Sequence, residues 1–96
     1  MKWLEIIKVR SVRINSEELD EFLRSMDKIS QKRLIEIKIY RHAAIETDLS
    51  LHLLWIAKQP EKNGSALGLR LAQALKDFGL IDHSLWMEQE KERKGK

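Results

Sequence analysis

The chain has 96 residues, 34% of them charged and 43% hydrophobic, with a formal net charge of +3. Those figures describe one small globular domain and exclude a fibrous or wholly disordered chain. The absence of cysteine excludes disulfides, thiolate catalysis and cysteine-ligated metal or iron-sulfur centres, and fits a reducing compartment.

The positive charge is concentrated in the tail, where Lys91, Arg93, Lys94 and Lys96 fall within the last six residues. The remainder is nearly neutral, which weakens the argument for nucleic acid from pI alone and leaves binding through the basic tail the least favoured reading. Met1 to Val9 is apolar but carries Glu5 and Lys8, and is too short and too charged for a signal peptide or a membrane span. The expectation is a soluble cytoplasmic protein with no membrane partner.

Trp3 to Ile14 reads as a first strand. Its apolar residues do not keep one parity, with Leu4 and Ile6 on one side and Ile7 and Val9 on the other, the pattern of a central or bulged strand. A helix follows. Asn15 or Ser16 can cap it, Glu18 completes a capping box with Asn15, Ile14 can staple onto Leu19, and Leu19, Phe22, Leu23, Met26 and Ile29 form its buried stripe.

Leu34 to Ala57 is two alternating apolar runs joined by a polar turn, which predicts a β-hairpin. Ile35, Ile37 and Ile39 share one face, as do Leu49, Leu51, Leu53 and Trp55. Pairing Ile39 with Leu53 and Ile37 with Trp55 keeps the sets together and leaves a loop near Ile45, Glu46 and Thr47; a longer loop of the same parity also satisfies the pattern. The opposite face carries Glu36, Lys38, Tyr40, His42, Ser50, His52, Leu54 and Ile56. It is too apolar for full solvation and too polar for a second core, so a half-covered surface is expected.

Lys58 to Gly64 is a polar loop containing Pro60. Ser65 can cap a second helix with a buried stripe of Leu67, Leu71, Ala74, Leu75 and Phe78, in which Gly68 permits close packing on the sheet. Gly79 is placed as a left-handed helix stop, with Leu80 folding back over the last turn. Leu80 to Glu88 alternates Ile81, His83, Leu85 and Met87 and reads as a final strand; a helical continuation to Lys91 is the alternative and would leave three strands. Residues 89–96 form a charged tail without an apolar face, expected to be disordered.

The resulting order, βαββαβ over residues 1–88, predicts an α+β ferredoxin-like sandwich, a four-stranded antiparallel sheet with two helices on one face. RNA-recognition domains share this order, but Leu49 to Ile56 lacks their Gly-aromatic run. An acylphosphatase-like anion loop would need glycine within Ser11 to Asn15, and there is none.

Three histidines, His42, His52 and His83, lack any compact ligand spacing, and no metal or cofactor is expected. Tyr40, His52 and His42 form the one group with acid-base potential, although cross-strand packing explains the Tyr40 and His52 pair more simply. Trp3, Trp55 and Trp86 are candidates to line a pocket for a flat apolar ligand between sheet and helices, with membership of the core as the default. Leu54, Ile56, Tyr40 and His52 are the candidate dimer interface, because a 96-residue domain has little spare core and gains from covering an apolar face with a second copy.

In length, in βαββαβ order, in a first strand beginning at residue 3 and in Trp55 near the end of the third strand, the chain resembles the dimeric α+β barrel superfamily, which includes antibiotic-biosynthesis-type monooxygenases. The resemblance spans Trp3 to Glu88. It implies a homodimer with a small-molecule site. Relatives often carry a histidine in the helix after that tryptophan, and Ala66 to Phe78 has none, so the dimer is carried over and the oxygenase chemistry is not. The leading expectation is binding of a small apolar or aromatic molecule, with conversion without a cofactor as its enzymatic extension. A non-enzymatic interaction or ligand-sensing module is the alternative.

Overall fold

A computed structural model describes residues 1–11, 17–57 and 59–89. The order is β1 (Lys2–Ser11), α1 (Glu17–Arg24) continuing into a 3-10 turn (Ser25–Lys28), β2 (Leu34–Arg41), β3 (Asp48–Ile56), α2 (Ala66–Leu75) and β4 (Gly79–Met87). The sheet runs β2-β3-β1-β4 with every neighbouring pair antiparallel. This is the expected ferredoxin-like α+β layout, and Leu80 to Met87 is strand rather than helix. The proposed cap at Asn15 or Ser16, the Ile14 staple and the tail from residue 90 onward lie outside the described residues.

Central β1 places Trp3, Glu5, Ile7 and Val9 on the helix side, all buried, and Leu4, Ile6, Lys8 and Arg10 on the open side. Its mixed parity therefore reflects two partly apolar faces, without a bulge in its ladders to β3 and β4. Leu49, Leu51, Leu53 and Trp55 of β3 continue the core, and Leu19, Leu23 and Met26 from the first helical segment and Leu67, Leu71, Ala72 and Leu75 from α2 close it. Ala72, absent from the predicted stripe, is buried, and Ala74 is half-buried.

The hairpin register differs from the predicted one by two residues. Ile39 pairs with Leu51 and Ile37 with Leu53, while a bulge between Leu34 and Glu36 sets Leu34 against Trp55. Parity is preserved from Ile37 to Arg41, so Ile37 and Ile39 keep the core side, while the bulge brings Leu34 rather than Ile35 opposite Trp55; the shift comes from a longer loop, closed by His42 N–H donating to the Asp48 carbonyl at 2.9 Å. Gly79 also departs from expectation. The only described glycine with positive φ is Gly64, at 104°, and Gly79 begins β4, where a Cβ would lie 2.0 Å from the Arg10 carbonyl oxygen. Leu80 consequently points away from the helix end and is 76% exposed.

The helices cover β1, β3 and β4 more fully than β2, of which Leu34 and Ile37 are half-buried against the core. Ile35 and Ile39 are 44% and 38% exposed despite their inward parity in the sequence. The radius of gyration is 14.9 Å, against roughly 12.5 Å for a compact domain of this length.

Candidate functional site

Cross-strand pairing arranges the open sheet face in rows. Glu36, Leu54, Leu4 and Trp86 lie in one row, Lys38, His52, Ile6 and Ser84 in the next, then Tyr40, Ser50, Lys8 and Asp82. One end is thus apolar, extended by Ile56 opposite Lys2, and the other is polar. Each end holds a groove. The polar one, about 410 Å³, is lined by Lys8, Arg10, Tyr40, His42, Asp48 and Asp82 among others. The apolar one, about 360 Å³, is formed by Lys2, Leu4, Leu54, Trp86 and their neighbours.

The predicted acid-base group sits at the polar end. Tyr40 faces Ser50 rather than His52 across the ladder, yet its ring reaches diagonally to the His52 ring, with centroids 4.5 Å apart and planes tilted by 51°. Ser50 Oγ lies 3.2 Å from His52 Nε2. Burial, with the nearby Lys8 charge, holds the His52 pKa below its ordinary value. His42 stands apart: its Nδ1 accepts from the backbone N–H groups of Ala44 at 3.0 Å and Ile45 at 2.9 Å and so pins the hairpin loop. Arg10 clasps Asp48 through two bonds of 2.9 and 3.1 Å, which lowers the Asp48 pKa and raises that of Arg10.

The three tryptophans are not brought together. Trp3 and Trp55 stack in the core at 5.8 Å, whereas Trp86 is 57% exposed on the open face, with its Nε1–H donating to Ser84 Oγ at 2.9 Å. His52 and His83 lie on opposite faces of the sheet, with β1 between their strands.

On the helix side is a polar cluster that the sequence reading missed. Glu5 projects from the middle of β1 and is fully buried. Its Oε1 accepts from Trp55 Nε1–H at 3.1 Å and Ser65 Oγ–H at 2.7 Å, and its Oε2 from Ser65 N–H at 3.0 Å, with His83 Nε2 at 2.7 Å. Ser65 Oγ in turn accepts from Gly68 N–H at 2.8 Å and caps α2. A carboxylate has about four lone-pair directions, and here each has a partner.

The local backbone is shaped to this carboxylate. A Cβ on Gly68 would stand 2.0 Å from Glu5 Oε2, and one on Gly64 2.6 Å from it. Asn63 and Gly64, at φ 65° and 104°, turn the chain so that the Ser65 N–H points inward. The close approach expected of Gly68 is therefore onto a side chain of the sheet. The missed signal was parity: Glu5 alternates with Trp3, Ile7 and Val9, and His83 with Ile81 and Leu85.

No described helix is long and apolar enough to cross a membrane, and among the described residues no cluster of three metal-ligating side chains occurs. Comparisons of the chain with protein-family models, curated protein sequences and solved structures found no match.

Proposed function

We propose that the protein is a cytoplasmic homodimer whose two copies meet through their open sheet faces and hold a small apolar or aromatic molecule in the grooves enclosed there. The observation that carries this reading is the uncovered band of Leu4, Leu54, Ile56 and Trp86 on one half of the sheet, beside a groove. Charge balance supports a second copy as the occupant. The face carries Lys2, Lys8, Arg10 and Lys38 against Glu36, Asp48 and Asp82, so two copies meet with little net repulsion. The partly exposed Ile39 on the inner side of β2 and the extended outline also suit a chain whose hairpin reaches beyond its own helices. The resemblance to dimeric α+β barrels agrees with this assembly.

Conversion of the ligand would fall to Tyr40 and His52, the pair in ring contact beside the polar groove. A non-enzymatic interaction or sensing module is favoured instead if the dimer forms empty. Native mass spectrometry of the purified chain tests the reading directly: a dimer carrying extra mass supports a ligand, a bare dimer supports the interaction module, and a bare monomer defeats the interface. Leu54→Asp should weaken the dimer by roughly a hundredfold, because it places an unpaired carboxylate in an apolar contact. A variant that sediments as the wild-type dimer does would argue against this surface.

His52 supplies a pH dependence. Its folded-state pKa is depressed, so the unfolded chain takes the proton more readily, and stability falls as pH drops below the ordinary value of 6.5 toward the lower folded value. Urea unfolding midpoints at about pH 7.5 and 5.5 should therefore differ more for wild type than for His52→Gln. Equal differences would sink the assignment. Truncation after Gln89 should leave the unfolding midpoint unchanged, since residues 90–96 carry no apolar side chain to add to a core. Loss of the cooperative transition would show the tail to be structural.

A further inference from the structure

The side of the sheet opposite the proposed dimer face carries its own chemistry, in the pairing of Glu5 with His83. Ser65 Oγ accepts from Gly68 N–H, so its own proton points to Glu5, and Trp55 Nε1–H and Ser65 N–H are donors by nature. The carboxylate therefore acts as acceptor on every side. His83 Nε2, 2.7 Å from Oε2, must be the nitrogen that bears the hydrogen. In the neutral ring, which carries one N–H, Nδ1 then keeps its lone pair.

Among the described residues Nδ1 has no hydrogen-bond partner, and the His83 side chain is 17% exposed on the edge strand β4. His42 is the contrast, since its Nδ1 lone pair is already taken by two backbone N–H groups. Gly64 backs onto the His83 ring, Ile7 lies buried across the ladder, and the half-buried Ile81 and Leu85 flank His83 on the same side of the strand. A free lone pair selects a donor, and the flanking Ile81 and Leu85 favour an uncharged body to carry it.

We propose that His83, held in its Nε2–H form by Glu5, is a proton acceptor for the acidic hydroxyl of a small apolar molecule, a phenol or an enol, bound at the β4 edge. The hydroxyl proton moves to Nδ1 and its bonding pair stays on the ligand oxygen. The imidazolium so formed is held against the Glu5 carboxylate, and return of the proton restores both partners. Glu5 is the positioning residue and His83 the group that touches the ligand. The site stands whether or not the open face dimerises.

Nitrogen-15 NMR of the histidine rings in the full-length protein, titrated with p-nitrophenol, tests the proposal. The expected spectrum shows His83 protonated at Nε2 and bare at Nδ1, with the Nδ1 signal moving as p-nitrophenol is added and p-nitrophenolate absorbance rising above that of free p-nitrophenol at the same pH. Glu5→Gln turns an amide N–H₂ toward Nε2 and should switch His83 to the Nδ1–H tautomer, weakening the phenol response at least tenfold. His83→Gln, a change on an edge strand that keeps the core intact, should abolish that response if Glu5→Gln does not fold. An Nδ1–H tautomer in the wild type, a phenol response confined to His42 or His52, or a response that survives His83→Gln would each overturn it.

Discussion

Glu5→Ala should lower the unfolding free energy by about 3–5 kcal/mol, the range seen when one partner of a buried charged cluster is removed. Four donors converge on this carboxylate, and alanine leaves Trp55 Nε1–H, Ser65 N–H, Ser65 Oγ–H and His83 Nε2–H to find other partners. Each buried donor left without an acceptor costs about 1–3 kcal/mol, and water entering from the His83 side can recover only part of that. For a domain of this length the loss lowers the thermal midpoint by roughly 15 °C or more. Glu5→Gln keeps the shape and one acceptor, so its cost should be nearer 1–3 kcal/mol. Calorimetry or chemical unfolding of the two variants checks the ranking. A Glu5→Ala protein within 1 kcal/mol of wild type would show that the cluster contributes little to stability.

The cost also explains what the cluster does for the fold. The carboxylate joins β1 to β3 through Trp55, to β4 through His83 and to the start of α2 through Ser65, three elements that apolar packing alone would let slide. Glu5→Ala combined with His83→Ala should therefore cost less than the sum of the separate changes, since each removes the other's partner.

The fold was legible because the alternation in Leu49 to Trp55, the helical stripe from Leu19 to Met26 and the Ser65 cap are local signals that tertiary structure reinforced. The hairpin register was not, because parity constrains pairing only modulo two and the loop length was set by His42, whose ring nitrogen accepts two backbone N–H groups in place of a turn glycine. Gly79 was misread for a related reason. A glycine after a helix suggests a left-handed stop, but here a neighbouring strand's carbonyl excludes the side chain, which only three-dimensional proximity reveals.

The Glu5 site was missed because a charge in a strand reads as a surface residue unless its parity is compared with that of its neighbours. Trp3, Ile7 and Val9 fix the inward face of β1, and Glu5 lies on it. Its partners are 50, 60 and 78 residues away in sequence, beyond any local pattern. The open face was more legible: Leu54, Ile56, Tyr40 and His52 share it as the alternation required, and Trp86 joins them from β4.

Gly68→Ala is the second large effect expected, and its sign runs against helix propensity. In an exposed helix the change stabilises by about 1 kcal/mol. Here the added methyl would stand 2.0 Å from Glu5 Oε2, 2.3 Å from its Cδ and 2.6 Å from Oε1, well inside contact distance of a group that cannot move freely. Displacing the carboxylate breaks the bonds from Ser65 and His83; moving α2 outward opens the contacts of Leu67, Leu71 and Leu75. Overpacking of this kind costs about 1–3 kcal/mol, and the lost hydrogen bonds add to it, for a net destabilisation of roughly 2–4 kcal/mol. Shortening the acid restores the space, so Gly68→Ala should be far less damaging in a Glu5→Asp background, a coupling that a double-mutant cycle measures directly. If Gly68→Ala instead raised the thermal midpoint in the wild-type background, α2 would not be seated on Glu5, and the hydrogen bonds that define the buried carboxylate would have to be abandoned with it.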